Sequence, residues 1–283
     1  MTARGRRLLA RLVTTLVAGL AGILTVGALP AAADTVGIGQ YVALGDSYAA
    51  GQGAPPYLNE DCLQSLNGYP YLLDAQNKIH LRANVACTGA TTSRVSDEQL
   101  SALKQSTRLV TLTVGAADLG LSQVLAACTA GTVAQCQEAI RLANLLLPAE
   151  CGDESELGRR LGDLYADVAE AAPNALIVAT GYPLLFELEG DLETQINDAT
   201  TRLNCAIEKA VADAQTAGIN IVYVDVTEAF DDHGIGGSGV PFINPPGTGI
   251  NAFHPTPAGY VAYAEAISAA LPSSWGANQE QVA

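Results

Sequence analysis

Residues 41–53 read YVALGDSYAAGQG. An unbroken apolar run from Tyr41 to Leu44 stops at Gly45, Asp46 and Ser47, and small residues and glycines follow. Continuous apolarity over so short a stretch suits a strand covered on both faces, as in a parallel sheet. Gly-Asp-Ser then marks the carboxyl end of that strand, the edge at which open parallel sheets bind ligands. Taken alone, Ser47 reads sooner as a helix cap than as a nucleophile.

Four more segments have the same character: ANVACTG (83–89), LVTLTVG (109–115), ALIVATG (175–181) and NIVYVDV (220–226). Between them lie longer helical patterns at about 69–79, 96–105, 119–127, 135–147, 155–171 and 191–217, and a last one at about 256–271. Alternating strands and helices imply a doubly wound three-layer α/β/α sandwich around a parallel sheet, with right-handed connections. The Gly- and Pro-rich stretch 234–249, GIGGSGVPFINPPGTG, reads as a long loop before the last helix, and long loops in compact domains are often functional.

Arg4, Arg6, Arg7 and Arg11 precede an apolar run at about 12–29, and PAAAD follows. This is the pattern of a secretory signal peptide over residues 1–33; the alternative is a membrane anchor of marginal length. The expected mature domain spans 34–274, with a polar tail at 275–283 and no stable membrane anchor after cleavage. Loss of 1–33 removes four arginines and no acid, so the formal charge moves from −15 to −19. So acidic a surface repels phosphate backbones and argues against nucleic acid as a partner. The chain is expected to be monomeric and extracellular or envelope-bound.

Six cysteines, an even number in an exported chain, suggest three disulfides, although fifteen pairings are formally open. Sequential pairing is favoured: Cys62–Cys87, Cys128–Cys136 and Cys151–Cys205. No CxxC spacing occurs and the histidines are too few and scattered for a zinc site; the chemistry read below calls for no metal or organic cofactor.

Four strand ends carry distinctive residues: Gly45-Asp46-Ser47, Cys87-Thr88-Gly89-Ala90, Gly115-Ala116-Ala117-Asp118 and, in the loop beyond the fifth strand, Asn251-Ala252-Phe253-His254-Pro255. Ser47 and His254 would share one edge of the sheet. A neutral serine is a poor nucleophile until a base takes its proton, so this pair points to acyl transfer. Gly89 adds a backbone N–H with no side chain in front of it, suited to an oxyanion.

The ordered set of GDS, a glycine after the second strand, VGxxD after the third and HP before the last helix resembles the SGNH (GDSL-type) hydrolases, closest to the secreted actinobacterial lipases and esterases. The resemblance spans essentially the whole expected mature chain, and the first two cysteine pairs fall where that branch has disulfides. It implies a flavodoxin-like fold with a five-stranded parallel sheet. It further implies Ser47 as nucleophile, His254 as base, and the Ser47 and Gly89 N–H groups as oxyanion donors. Asp46 and Asp118 would then organise their turns. The substrate would be a small-molecule or lipid ester, cleaved through an acyl-enzyme.

Two departures stand out. The family's usual Gly-x-Asn-Asp block has Ala117 at the Asn position, where a methyl group cannot donate to an oxyanion; such a loss typically costs about 10²–10³ in turnover. Asn251 stands where many relatives carry the triad Asp, so the carbonyl of Asn251 or Ala252 is expected to orient the imidazole in a Ser–His dyad. Together these departures motivate the rival reading, a weak or inactive module that binds acyl or carbohydrate ligands at the envelope. A flavodoxin-like nucleotide binder is a third class, disfavoured by the acidic surface and the lack of a phosphate-cradling glycine loop. The remaining candidates take structural readings: His80 as a helix-end cap, His233 in a solvated turn, and Asp225 at the end of the fifth strand. Trp275 reads as a packing anchor, and Glu187, Glu189, Asp191 and Glu193 as an acidic entry to the long helix.

Overall fold

Strands buried on both faces must be apolar at nearly every position, and the centre of this sheet meets that condition. The computed structural model describes residues 38–75, 79–188 and 190–272, all within one compact unit. Its strands and helices run in the order β1 (Ile38–Gly45), α1 (Ser47–Ala50), β2 (Tyr57–Asn59), β3 (Gln64–Ser65), α2 (Tyr69–Asp74), β4 (Ile79–Asn84), α3 (Thr92–Arg94), β5 (Leu109–Thr113), α4 (Leu121–Ala130), α5 (Val133–Asn144), α6 (Glu156–Ala171), β6 (Leu176–Thr180), α7 (Asp191–Thr216), β7 (Ile221–Val224) and α8 (Pro257–Ala270). The main sheet is parallel, in the order β4-β1-β5-β6-β7. Every residue of β5 and β6 is buried, whereas the edge strand β4 alternates through exposed His80 and Arg82. The expected five-stranded parallel α/β architecture is the one observed, with α2 packed on α8 and α6 packed on α7.

The chain runs from β1 outward to β4 and then crosses to β5, so strand order reverses at the carboxyl end of β1. That is where an open α/β sheet makes its ligand crevice. Ser47 follows β1 directly, Gly89 lies in the loop after β4, and Ala117 in the loop after β5.

Threonines inside fully buried strands need partners, and tyrosines supply them. Tyr41 Oη meets Thr111 Oγ1 at 2.8 Å and Tyr69 Oη meets Thr113 Oγ1 at 3.0 Å. Thr113 reaches Thr180 at 2.6 Å, and Thr180 reaches the hydroxyl of Tyr263 on α8 at 3.0 Å. Leaving such a hydroxyl unpaired in the core would cost about 1–3 kcal/mol. The Tyr69 and Tyr263 rings stack with centroids 5.1 Å apart, joining α2 to α8.

Several sequence expectations are corrected. The helix expected over 69–79 ends at Asp74, and the second strand begins at Ile79, before the expected 83–89. His80 therefore lies exposed on an edge strand, not at a helix end. The residues after Asn84 still pair: Val85 and Cys87 donate their N–H groups to Ala43 and Gly45, carrying the ladder toward Gly89. The helix expected over 96–105 is a short composite, α3 followed by a π-helical turn over Val95–Gln99 and a 3₁₀ turn over Leu100–Ala102. The antiparallel pair β2–β3 has no counterpart in the sequence reading. His233 is not in a freely solvated turn: its ring stacks on Phe242, centroids 3.9 Å apart, and Nδ1 meets the Val240 carbonyl at 2.8 Å. Asp225 is exposed and bonds the Thr227 N–H and hydroxyl, both at 2.8 Å, away from the crevice. Asp191 and Glu193 do occupy the first turn of α7, and Glu187 accepts from the Asp232 N–H. The expected signal peptide, the tail, Trp275 and Glu189 lie outside the described residues.

Disulfides join Cys62 to Cys87, Cys128 to Cys136 and Cys151 to Cys205. The first bond ties the β2–β3 hairpin to the loop that carries Gly89, and Thr88 N–H adds a 3.2 Å bond to the Cys62 carbonyl. The second joins α4 to α5, and the third joins the segment before α6 to α7.

Candidate active site

Gly45 shows why the first block reads as it does. Its φ is +129°, and a Cβ built there would stand 2.1 Å from the Thr113 carbonyl oxygen. Glycine is the residue that tolerates both the backbone conformation and the close approach. The buried Gln99 amide, at the end of the π-helical turn, donates to the Gly45 carbonyl at 2.9 Å and accepts from its N–H at 2.8 Å. Asp46 then caps α1, its Oδ1 accepting from the Tyr48 N–H at 2.9 Å, and Ser47 starts the helix with its hydroxyl free to face the crevice.

The loop before α8 delivers the imidazole. Phe253 adopts a left-handed φ of +64°, rare for a bulky residue and held here by its neighbours. Its N–H donates to the Asn244 carbonyl at 2.8 Å, and its own carbonyl accepts from the Tyr48 hydroxyl at 2.8 Å. Asn244 further donates its amide hydrogens to the carbonyls of Gly53 and His254, both at 2.9 Å. The turn aims the Ala252 carbonyl at His254 Nδ1, 2.8 Å away, and leaves His254 Nε2 2.9 Å from Ser47 Oγ. A carbonyl can only accept, so Nδ1 carries the proton and Nε2 presents its lone pair to the serine.

Of the two carbonyls expected to orient the ring, Ala252 takes that place. Asn251 does not: its carbonyl accepts the His254 backbone N–H, and its side-chain oxygen accepts from the Tyr57 hydroxyl. The 3₁₀ turn over Gly249–Asn251 ends at Ala252 in a non-helical conformation (φ −52°, ψ 139°), which turns its carbonyl away from that of Asn251, and the left-handed turn at Phe253 follows before His254.

A cavity of about 380 Å³ opens beside the pair, lined by Ser47, Gly89, Ala117, Leu121, Leu125, Ala126, Ile250, Phe253 and His254 among others. Gly89 has φ +70°, and a Cβ there would meet nothing within 4 Å, so the backbone conformation, not crowding, selects glycine. The N–H groups of Ser47 and Gly89 have no protein acceptor among the described residues. Ala117 borders the same cavity and brings a methyl group. Asp118, next to it, accepts from the Thr92 N–H at 2.9 Å and the Thr92 hydroxyl at 2.7 Å, tying the loop after β5 to the first residue of α3.

Burial dominates the electrostatics. It lowers the His254 pKa from 6.5 to about 4, against a smaller opposing effect of the Ala252 carbonyl, so the ring is neutral at pH 7. Burial also raises Asp46 from 3.8 to about 7, with the Tyr182 hydroxyl and the Tyr48 N–H pulling it down. Tyr182 was invisible in the sequence reading. It donates to Asp46 Oδ2 at 2.5 Å, accepts from the Ala116 N–H at 3.3 Å, and packs its ring edge-on against Tyr48 at 5.1 Å. Gln52, Gln99 and Asn244 were equally unread, because an amide carries no motif of its own. No group of His, Cys, Asp and Glu suited to a metal ion occurs among the described residues.

Comparison with known proteins agrees with this architecture. The profile of the GDSL-like lipase/acylhydrolase family matches residues 43–262. Lipase 1 of Streptomyces coelicolor is 33% identical, the match covering 89% of this chain and 92% of that protein. The crystal structure of phospholipase A1 from Streptomyces albidoflavus superposes with a TM-score of 0.74 at 35% identity, covering 83% of this chain and all of that one. The extracellular lipase of Streptomyces rimosus superposes with a TM-score of 0.72 at 29% identity, covering 82% and 100% of the two chains. No helix among the described residues is long and apolar enough to cross a membrane. By sequence, fold and the strand ends at which its polar groups meet, the chain belongs to the GDSL-like lipase/acylhydrolase family and is an ester hydrolase.

Proposed function

We propose that the chain is an exported serine esterase acting on apolar acyl esters through an acyl-enzyme on Ser47. The observation that carries this reading is the 2.9 Å contact between Ser47 Oγ and His254 Nε2 at the rim of the cavity. His254 takes the hydroxyl proton as Ser47 attacks the ester carbonyl. The developing imidazolium is held by the Ala252 carbonyl on its other nitrogen. The N–H groups of Ser47 and Gly89 receive the oxyanion. Collapse of the tetrahedral adduct expels the alcohol, which takes its proton from His254. Water, deprotonated by the same ring, then attacks the acyl-enzyme and releases the acid.

Ala117 supplies no side-chain donor, so two backbone groups carry the oxyanion and turnover is expected to be correspondingly slower. The cavity wall supports an acyl ligand over a sugar. Leu121, Leu125, Ala126, Ile250 and Phe253 are apolar, and Asp46 is the one carboxylate and His254 the one imidazole among the described residues that line it. The names of the relatives, lipases and a phospholipase A1, point the same way. Export is supported by the basic, apolar and Ala-x-Ala order of residues 1–33, by three disulfides and by the extracellular relative.

The test is hydrolysis of p-nitrophenyl esters of increasing chain length by the mature protein and by Ser47→Ala, with an organophosphonate ester probe located by mass spectrometry. Turnover confined to the wild type, with the probe on Ser47, is the expected result. Equal rates in both proteins, or labelling elsewhere, overturns the reading.

A further inference from the structure

Gln52 lies in the GQG stretch directly after the α1 turn, is 7% exposed, and has every polar group in use. Its backbone N–H donates to the Ser47 carbonyl at 3.0 Å, and its carbonyl accepts from the Tyr260 hydroxyl on α8 at 2.8 Å. Its side-chain Nε2 donates to the Ile250 carbonyl, and its Oε1 accepts from the Thr88 hydroxyl at 2.6 Å. The orientation of the amide follows from chemistry, since the Ile250 carbonyl can only accept and so must face the NH₂ end.

Three of these four contacts lead into the candidate site. Thr88 immediately precedes Gly89, and Ile250 is two residues before Ala252 in the turn that aims His254. Ser47 begins the helix to which the Gln52 backbone is bonded. A single buried amide therefore bridges the loop carrying the second N–H donor and the loop carrying the base, from a backbone anchored to the nucleophile. No other residue described above makes hydrogen bonds to all three segments. Polar groups buried this completely resist displacement, because breaking either bond strands a donor or acceptor away from water.

We infer that Gln52 is a positioning residue for the ester hydrolysis, setting the distance between the Gly89 loop and the His254 turn around Ser47. The inference rests on the assignment of Ser47 and His254 as nucleophile and base. Gln52 acts through Thr88 and Ile250 and has no part in bond making. Misplacement of catalytic groups by about 1 Å can cost on the order of 10²-fold in rate, so loss of the strut is expected in kcat more than in KM.

The experiment uses the mature protein with Gln52→Met, which keeps the side-chain length and removes both side-chain bonds. Thr88→Val is nearly isosteric and breaks one of the same links without touching Gln52, and the double variant completes the set. Read-outs are kcat and KM for p-nitrophenyl butyrate, the rate of Ser47 labelling by the phosphonate probe, and the melting temperature. The expected result is a fall in kcat of about tenfold or more in Gln52→Met, with KM within about twofold and labelling slowed in parallel. Thr88→Val should lose less, and the double variant should be no slower than Gln52→Met. Wild-type kcat in Gln52→Met, a loss confined to KM, or losses that multiply in the double variant overturn the inference while leaving the Ser47 assignment intact. If Gln52→Met does not fold, Thr88→Val decides: unchanged kcat and labelling rate overturn the inference. Absence of Ser47-dependent turnover in the wild type overturns both.

Discussion

His254 Nε2 lies 2.9 Å from Ser47 Oγ across 207 residues of sequence, and the opposite nitrogen of the same ring faces a backbone carbonyl, not a carboxylate. A carbonyl orients the imidazole and fixes its tautomer, yet offers less charge to stabilise an imidazolium than an ionised Asp would. Burial then leaves the ring neutral over a wide pH range.

The pH profile follows. Because His254 titrates at about 4 in place of 6.5, kcat/KM should stay near its neutral-pH value down to about pH 5 and fall below that. An acid limb centred near 6.5 would show that the ring is solvated in the working enzyme. The same shift affects stability. The folded state disfavours the protonated ring, so the His254 contribution is complete above 6.5 and is lost as pH falls through about 4. His254→Gln should remove that acid-side loss in urea unfolding midpoints measured from pH 7 to pH 4.

Asp46 has the opposite sign. Its folded pKa of about 7 exceeds the unfolded 3.8, so its contribution is complete below 3.8 and is lost as pH rises through 7. Tyr182→Phe removes the hydroxyl that donates to Asp46 and accepts from Ala116 N–H. We expect a loss of about 1–3 kcal/mol in unfolding free energy, larger at pH 8 than at pH 6 because the unshielded carboxylate is costlier when ionised. A loss that does not change with pH would contradict the Asp46–Tyr182 account.

Ala117→Asn should raise kcat, by up to about 10²-fold if the new amide reaches the oxyanion, with little change in KM. No increase would mean that another group already occupies that donor position.

Asn251→Asp should not build a triad. The Asn251 side chain bonds the Tyr57 hydroxyl and not the imidazole, so kcat/KM is expected to stay within about threefold of the wild type. A gain of tenfold or more would show that the turn can rearrange to bring residue 251 against Nδ1.

Removing the Cys62–Cys87 bond by paired serine substitution is expected to cost about 2–4 kcal/mol in unfolding free energy. Activity at 25 °C should fall as well, because Cys87 stands two residues before Gly89. Full activity in the folded double variant would show that the Thr88 and Cys87 backbone bonds hold that loop unaided.

The strand ends were readable because a buried parallel strand writes itself as unbroken apolarity, and the residues that interrupt it lie at the functional edge. Where burial is one-sided the signal breaks: exposed His80 and Arg82 interrupt the apolarity of edge strand β4, so its first residues read as a helix end and the strand pattern begins only at Ala83. The β2–β3 pair, at three and two residues, is too short to carry any period.

By itself the sequence determined the layered α/β plan and the order of the four strand-end blocks, and it nominated Ser47, Gly89, Ala117 and His254 as candidate site residues. Each of these depends on local chemistry: apolar runs, glycine where a side chain would collide or strain, and the presence or absence of a donor. The tertiary structure alone decided that Ala252 and not Asn251 faces the imidazole, that Tyr182 donates a hydrogen bond to Asp46, and that Gln52 spans two loops. Those outcomes depend on a left-handed turn at Phe253 and on contacts between residues 36 to 198 positions apart, and neither leaves a periodic trace along the chain.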